Sequence, residues 1–416
     1  MDTASLAAGR EVIERVQRLA RHSDSPHHYT RTYLTPAHRA AAEEIAQWMR
    51  DAGMSVRVDA AGSVIGRYDA AVTGAKTLLL GSHFDSVRNG GKFDGVLGIL
   101  VPVACVAELD RRGERLPHAI EVAAFSDEEG ARFQTSFLAS RAIVDGSASM
   151  AGLFERRDAD GITLGDAMRS AGLDPSEADA HRVDPRSLAA YVELHIEQGP
   201  VLLHEARALG VVTSIAAGLR HLVKVKGEAG HAGTVPMARR HDALAAAAEM
   251  IVAIEKRCSA GGSLVGTVGV VRVKDGTANV IPGDVEFTVD IRAADGVAHV
   301  EAARDALAQC DAIARRRGVA FEATKTHEVQ AAPCAAWLQD LIAASVERTI
   351  PGERARRLPS GAGHDAMVLA KVCDVGMMFV RCGAGGVSHN PAETVSAGDA
   401  ELAFRALLDF LRTFRR

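Results

Sequence analysis

Four polar stretches of this chain carry side chains that can hold metal ions and move protons. Gly81-Ser82-His83-Phe84-Asp85 offers an imidazole and a carboxylate, and eleven residues after His83 comes Asp94, in Gly90-Gly91-Lys92-Phe93-Asp94-Gly95. Ser126-Asp127-Glu128-Glu129-Gly130 supplies adjacent glutamates. His195-Ile196-Glu197-Gln198-Gly199-Pro200 brings a second imidazole, and Ser388-His389-Asn390-Pro391 a third. Two divalent ions about 3.5–4 Å apart need a bridging carboxylate and one or two further ligands each. Imidazole with carboxylate suits Zn²⁺, and Mn²⁺ or Co²⁺ as well. Of two neighbouring glutamates only one ligates easily, which leaves the other free to take a proton from an attacking water. Taken singly, each group has a plainer role: a hydrogen-bonded His, an Asp capping a helix, a solvated Glu pair. Their common place, each after an apolar strand, points instead to a two-metal hydrolase.

The strands come from hydrophobic patterning. Thr77–Leu80, Ala119–Phe125, Tyr191–Ile196 and Val375–Val380 are apolar runs, and a helix from about Gly95 to Arg112, closed by Gly113, lies between the first two. Continuous apolar strands alternating with helices make a mostly parallel sheet covered on both faces. Such sheets gather ligands at the carboxyl ends of their strands. Upstream, Leu6, Ile13, Val16 and Leu19 share one helical face. A second helix has Thr35 as N-cap, Pro36 at its first position and Gly53 just past its end, and Val56–Val58 with Val64–Tyr68 form a hairpin.

The middle of the chain changes character. Strand His221–Lys226 precedes a helix over Arg240–Arg257, with Leu244, Ile251 and Ile254 inward. Leu264–Val273 is a strand, Val285–Ile291 alternates strictly, Val300, Ala303, Leu307 and Cys310 mark a helix ended by Gly318, and Val319–Ala323 is a last strand. The order β-α-β-β-α-β is that of a ferredoxin-like sandwich. A helix from Cys334 and a terminal helix through Leu402, Phe404, Leu407, Leu408 and Leu411 then resume the first pattern. The expected fold is α/β: a mostly parallel-sheet catalytic domain in two pieces, 1–213 and 327–416, with an inserted ferredoxin-like α+β domain at 214–326.

Composition narrows the function classes. With 48 basic and 53 acidic residues the formal charge is −5, which gives no basic face for nucleic acid. No apolar run approaches the roughly 18 residues that span a bilayer. Met1 to Arg21 contains acidic residues and no apolar core segment, unlike a secretory signal. The six Cys include no CxxC pair and read as reduced thiols of a cytoplasmic protein. Sixteen His stand against 4% aromatic residues. Position after a strand end separates His83, His195 and His389 from bland ones such as His27, His28 and His118.

The four stretches, with Gly230-His231-Ala232-Gly233-Thr234, resemble the hydantoinase/carbamoylase family of amidases, part of the dinuclear-metal aminoacylase and carboxypeptidase superfamily. That family includes N-carbamoyl-L-amino-acid hydrolases, β-ureidopropionases and allantoate amidohydrolases, and the likeness covers nearly the whole chain. It implies one ion on His83, Asp94 and His195 and another on Asp94, Glu129 and His389, so that Asp94 bridges. Glu128 would be the general base, and Asp85 would orient His83. Peptidase branches tend to carry a carboxylate where His195 stands, so histidine there favours the carbamoylase branch. The resemblance also implies substrate contacts from Gln198, Asn279 and Arg292, the last gripping a carboxylate with its planar fork. His231 would stabilise the tetrahedral intermediate, often from a partner subunit. Pro359-Ser360-Gly361-Ala362-Gly363-His364-Asp365 fits the family too, with His364 or Asp365 supporting a ligand. Arg381-Cys382-Gly383-Ala384-Gly385-Gly386 is less typical and bears on the pocket rim. The implied protein is a homodimer whose inserted domain serves as lid and dimerisation domain. It would take a small ureido or amide substrate with a carboxylate, and release L-amino acid, CO₂ and NH₃. Allantoate is the alternative substrate, followed by acylamino acids or peptides.

Overall fold

The computed structural model describes residues 6–259 and 261–415. The chain divides into two compact units: one runs to Thr213 and takes up Pro333–Leu358 and the residues from His364 onward, and the other comprises Ser214–Ala332 and Pro359–Gly363.

The first unit opens with helices α1 (Ala7–Leu19) and α2 (Pro36–Asp51). Val12, Val16 and Leu19 are the buried stripe of α1. The Thr35 hydroxyl accepts from the His38 N–H at 3.2 Å and caps α2, with Pro36 in the first turn, where a missing N–H costs nothing. Strands β1 (Ser55–Val58), β2 (Val64–Tyr68) and β3 (Thr77–His83) follow, then α3 (Leu97–Arg111), β4 (Ala119–Phe125), α4 (Leu138–Asp145), α5 (Leu164–Ser170), β5 (Leu188–Ile196), α6 (Val201–His204) and β6 (Leu209–Ile215). Helix α3 is apolar on nearly every side and buried, as a helix inside a layered core must be.

The second unit holds β7 (Ala217–Lys226), β8 (Gly230–His231), α7 (Ala243–Cys258), β9 (Val265–Thr267), β10 (Val271–Val273), β11 (Val280–Ile281), β12 (Asp284–Ala293), α8 (Ala298–Arg317) and β13 (Ala320–Val329). Strand β14 (Ala332–Pro333) leads back to α9 (Ala336–Thr349), β15 (Arg356–Ser360), α10 (Ala366–Leu369), β16 (Val375–Val380) and α11 (Ala397–Thr413).

The large sheet has the order β1-β2-β4-β3-β5-β16-β6-β14, with β15 on β6. Its centre is parallel: β3 pairs with β4 and β5, and β16 with β5, in that sense. The hairpin strand β2 and strand β6 flank it antiparallel. Register places His83 opposite Phe125, and Phe379 opposite His195. Four carboxyl ends therefore share one edge.

The second sheet runs β10-β12-β7-β13, with β9 also on β12, and all its pairs are antiparallel. This is the strand order of a ferredoxin-like sandwich, with α7 and α8 packed on one face around Val223, Val225, Phe287 and Val289. Three details depart from the sequence expectation. Leu264–Val273 is two strands, because Thr267 faces Asp290 while Val271 faces Phe287. Four steps against three is a β-bulge, and Val270 and Thr288 exchange bonds across it. Leu244 is 38% exposed, and Ala246, Ala247, Met250 and Ile254 fill the inward face of α7 instead. The unit also extends past residue 326, since β13 pairs with β7 as far as Val329 opposite Gly218.

Candidate metal centre and active site

Three parallel strands and one loop deliver the polar groups. His83 is the last residue of β3, and His195 is next to last in β5. Glu128 and Glu129 lie in the turn after β4, behind Ser126 and Asp127, and His389 lies in the loop after β16. Asp94 arrives from the turn between β3 and α3. That turn needs Gly95, whose φ is +68° and whose Cα lies against the His83 ring: a Cβ there would sit 2.5 Å from the His83 carbonyl oxygen.

Asp94 is the hub. Its Oδ1 lies 3.2 Å from His195 Nε2 and 3.6 Å from His83 Nε2. Its Oδ2 lies 3.2 Å from His389 Nε2, which is also 3.3 Å from Glu129 Oε1. The ring tautomers follow from the far nitrogens. His195 Nδ1 contacts the Ile196 carbonyl at 2.8 Å, and His83 Nδ1 lies 3.3 Å from both the Asp85 carbonyl and its carboxylate. Both nitrogens must donate there, so in the neutral ring Nε2 is the nitrogen with the lone pair, on the side that faces Asp94.

Asp85 does more than orient His83. Its Oδ1 accepts the Glu128 N–H at 3.0 Å and its Oδ2 the Glu129 N–H at 3.1 Å. One buried carboxylate thus fixes both the imidazole and the backbone of the glutamate pair.

The electrostatics are those of a cation site. Burial alone would raise the Asp94 carboxyl, but the imidazoles of His195, His389 and His83 overturn that and hold it well below the usual range. Hydrogen bonds to Asp94 and Glu129 push His389 up to about 10. Burial opposes a charge on His83, yet Asp85 and Asp94 carry its pKa well above the ordinary value. Glu128 is raised well above its usual range by burial, with Glu129, Asp365 and Asp85 adding to it and His83 opposing. Asp94 Oδ1 and His195 Nε2 are buried and lack a hydrogen-bond partner. A divalent cation between them would satisfy both and supply the positive charge that the carboxylates otherwise draw from protons.

Among the described residues, His83–Asp94–His195 and Asp94–Glu129–His389 each place three ligand atoms within 4.8 Å of one another. Both sets combine neutral imidazole with anionic carboxylate, which suits Zn²⁺, Mn²⁺ or Co²⁺. A third group, Glu193–His195–His364, meets the same distance. Its carboxylate is already engaged, however, accepting from Ser82 Oγ at 2.9 Å, Tyr191 OH at 3.1 Å and the Ala366 N–H at 3.0 Å. The His364 ring packs edge-on against His195, with centroids 4.5 Å apart, as a wall for that ligand.

Gln198 enters the same cluster. Its φ is +55°, and its amide donates to Asp94 Oδ2 at 3.0 Å. The remaining expected substrate groups belong to the second unit. His231 is exposed on β8, paired with Val280, and the Asn279 carbonyl accepts from the Ala232 N–H at 2.9 Å. His231 Nδ1 accepts from the Gly233 N–H at 3.1 Å, which leaves an Nε2–H donor exposed. Arg292 is next to last in β12, where Nε and Nη2 grip Asp290 at 3.2 and 3.1 Å and Nη1 donates to the Gly361 carbonyl. Of the five guanidinium N–H groups, two remain for a ligand. Arg292 lines a cavity of about 630 Å³ on the open face of the second sheet, together with Arg220, Asp290 and Thr288.

Two carboxylates were not expected from the sequence. Glu193 sits in the middle of an apolar strand, and Glu393 accepts the backbone N–H of both Phe93 and Asp94 at 2.8 and 3.1 Å. The only sequence signal for Glu393 is its place four residues after His389, which does not name its target.

Residues 68–413 match the family model described as peptidase family M20/M25/M40, and the chain belongs to that family, whose proteins are metal-dependent. An allantoate deiminase of Arabidopsis thaliana is 39% identical over 437 residues, covering 97% of this chain and 82% of that protein. An N-carbamoyl-L-amino acid amidohydrolase of Geobacillus stearothermophilus is 40% identical over 380 residues, covering 91% of each. The crystal structure of a hydantoinase/carbamoylase family amidase from Burkholderia multivorans superposes with a TM-score of 0.90 at 31% identity, covering 97% of both chains. The chain is an amidohydrolase, acting on C–N bonds of linear amides other than peptide bonds.

Proposed function

We propose that this amidohydrolase cleaves the carbamoyl C–N bond of N-carbamoyl-L-amino acids, giving the L-amino acid, CO₂ and NH₃. One observation carries the reading: Asp94 offers Oδ1 to His83 and His195 and Oδ2 to His389, the disposition a bridging carboxylate needs. His83, Asp94 and His195 would hold one divalent ion and Asp94, Glu129 and His389 the other, Zn²⁺ in the first instance. When bound, such ions polarise a carbonyl and acidify water near neutral pH. Glu128 takes the proton of the attacking water and returns it to the leaving nitrogen, a shuttle served by its raised pKa. The Nε2–H of His231, from the same chain or from the partner of a homodimer, donates to the oxyanion. Arg292 receives the substrate carboxylate on its two free N–H groups, and Asn279 and Gln198 complete the contacts. The second unit acts as lid and dimerisation domain.

Allantoate is the second reading, favoured by the allantoate deiminase relative at 39% identity. The test is a panel of N-carbamoyl-L-methionine, N-carbamoyl-β-alanine, allantoate and N-acetyl-L-methionine with zinc- or manganese-loaded enzyme, following ammonia and free amino acid. Preference for a carbamoyl amino acid is expected. Preference for allantoate moves the assignment to the second reading, and turnover of the acetyl compound alone overturns both.

A further inference from the structure

Glu393 hydrogen-bonds to the segments that carry two of the candidate metal ligands. Its side chain is buried, at 3% exposure. Oε1 accepts two consecutive backbone N–H groups, those of Phe93 and Asp94, at 2.8 and 3.1 Å. Oε2 accepts the Ser388 hydroxyl at 2.7 Å. Ser388 immediately precedes His389, and its oxygen lies 3.3 Å from Asp94 Oδ2. One carboxylate therefore joins the turn that carries Asp94 to the loop that carries His389. Neither segment belongs to a strand, whereas His83 and His195 are held by the sheet itself. A second residue is shaped to this contact. A Cβ on Gly91 would fall on the Glu393 carboxyl, and Gly91 does not have the positive φ that would by itself demand glycine.

We infer that Glu393 is a positioning residue for the Asp94–Glu129–His389 ion site, setting the separation of Asp94 and His389, and that Gly91 is glycine to admit its carboxylate. The inference rests on the metal-centre reading above. Partners that orient ligands typically account for about 10–100-fold in metal affinity. The loss should be unequal: the site with two loop-borne ligands weakens, while His83–Asp94–His195 keeps two strand-borne ones.

The experiment is calorimetric titration of chelator-stripped, full-length protein with Zn²⁺ alone, comparing wild type, Glu393→Ala, Glu393→Gln and Gly91→Ala. Wild type is expected to take up two ions. Glu393→Ala and Gly91→Ala should each keep one tight ion and bind the other about 10–100-fold more weakly. Glu393→Gln should bind close to wild type, because its amide oxygen can still accept both backbone N–H groups. A generally weakened fold would not lose one ion selectively or recover with Gln. If Glu393→Ala fails to fold, Gly91→Ala decides, since the atoms nearest its Cβ are the far end of the flexible Glu393 side chain. Normal binding of both ions by folded Gly91→Ala overturns the inference, as does equal weakening of both sites. Failure of the wild type to bind any zinc overturns the metal reading itself.

Discussion

His38 ties acid stability to the site. It is 1% exposed, its ring stacks on Phe84 with centroids 4.3 Å apart, and its Nε2 lies 2.7 Å from the Ser126 carbonyl. Nε2 must therefore carry the hydrogen. Nδ1 is buried without a hydrogen-bond partner, so a proton there would create an unpaired buried charge. Burial accordingly lowers the pKa from 6.5 to about 4, only partly offset by the bond to Ser126. The folded value lies below the unfolded one, so between these two pH values the unfolded chain binds more protons. Stability rises with pH through this window, and the contribution is lost as pH falls from about 6.5 toward 4. The gap between these two values corresponds to about 3 kcal/mol in full, of which about 2 kcal/mol is gone by pH 5. Glutamine at position 38 can still donate to Ser126 but has no proton to gain. Urea unfolding of chelator-stripped wild type and His38→Gln from pH 7 to pH 4.5 gives the two profiles. Wild type should lose about 2 kcal/mol more than the variant by pH 5. Parallel profiles would refute the burial argument, because every other titrating group is common to both proteins.

Two further substitutions address the chemistry. Glu128→Gln should retain the wild-type complement of bound ions while kcat falls by about 10²–10⁴, the range removed with a general base; turnover at the wild-type rate would reassign the base. Arg292→Ala should raise KM for carboxylate-bearing substrates with little change in kcat, and an unchanged KM would remove the carboxylate from its proposed partner.

The parallel centre of the large sheet was legible because buried strands must be apolar along their whole length, which sets β3, β4, β5 and β16 apart from their surroundings. The gathering of His83, the Glu128–Glu129 pair, His195 and His389 at one edge followed from strand direction alone. Side-chain partnerships between distant segments were not legible. Nothing local tells Glu393 to seek the amide of Asp94, or Asp290 to divide itself between Arg220 and Arg292. The face of α7 was misjudged at Leu244 because alanines fill its packed side, and hydrophobicity alone ranks leucine above them. The bulge between β9 and β10 depends on pairing with β12, a register no single segment contains.

The bond from the Asp94 amide to Glu393 spans 299 residues of chain. At synthesis rates of about 5–20 residues per second, Asp94 leaves the peptidyl centre roughly 15–60 s before its partner is made. The sheet strands bearing His83 and His195 are complete long before that. A nascent chain therefore carries a partial set of ligands throughout that interval, and the full constellation exists only once His389 and Glu393 have been made. Metal ions supplied during translation would meet a two-imidazole site first, and the second set of ligands would close last.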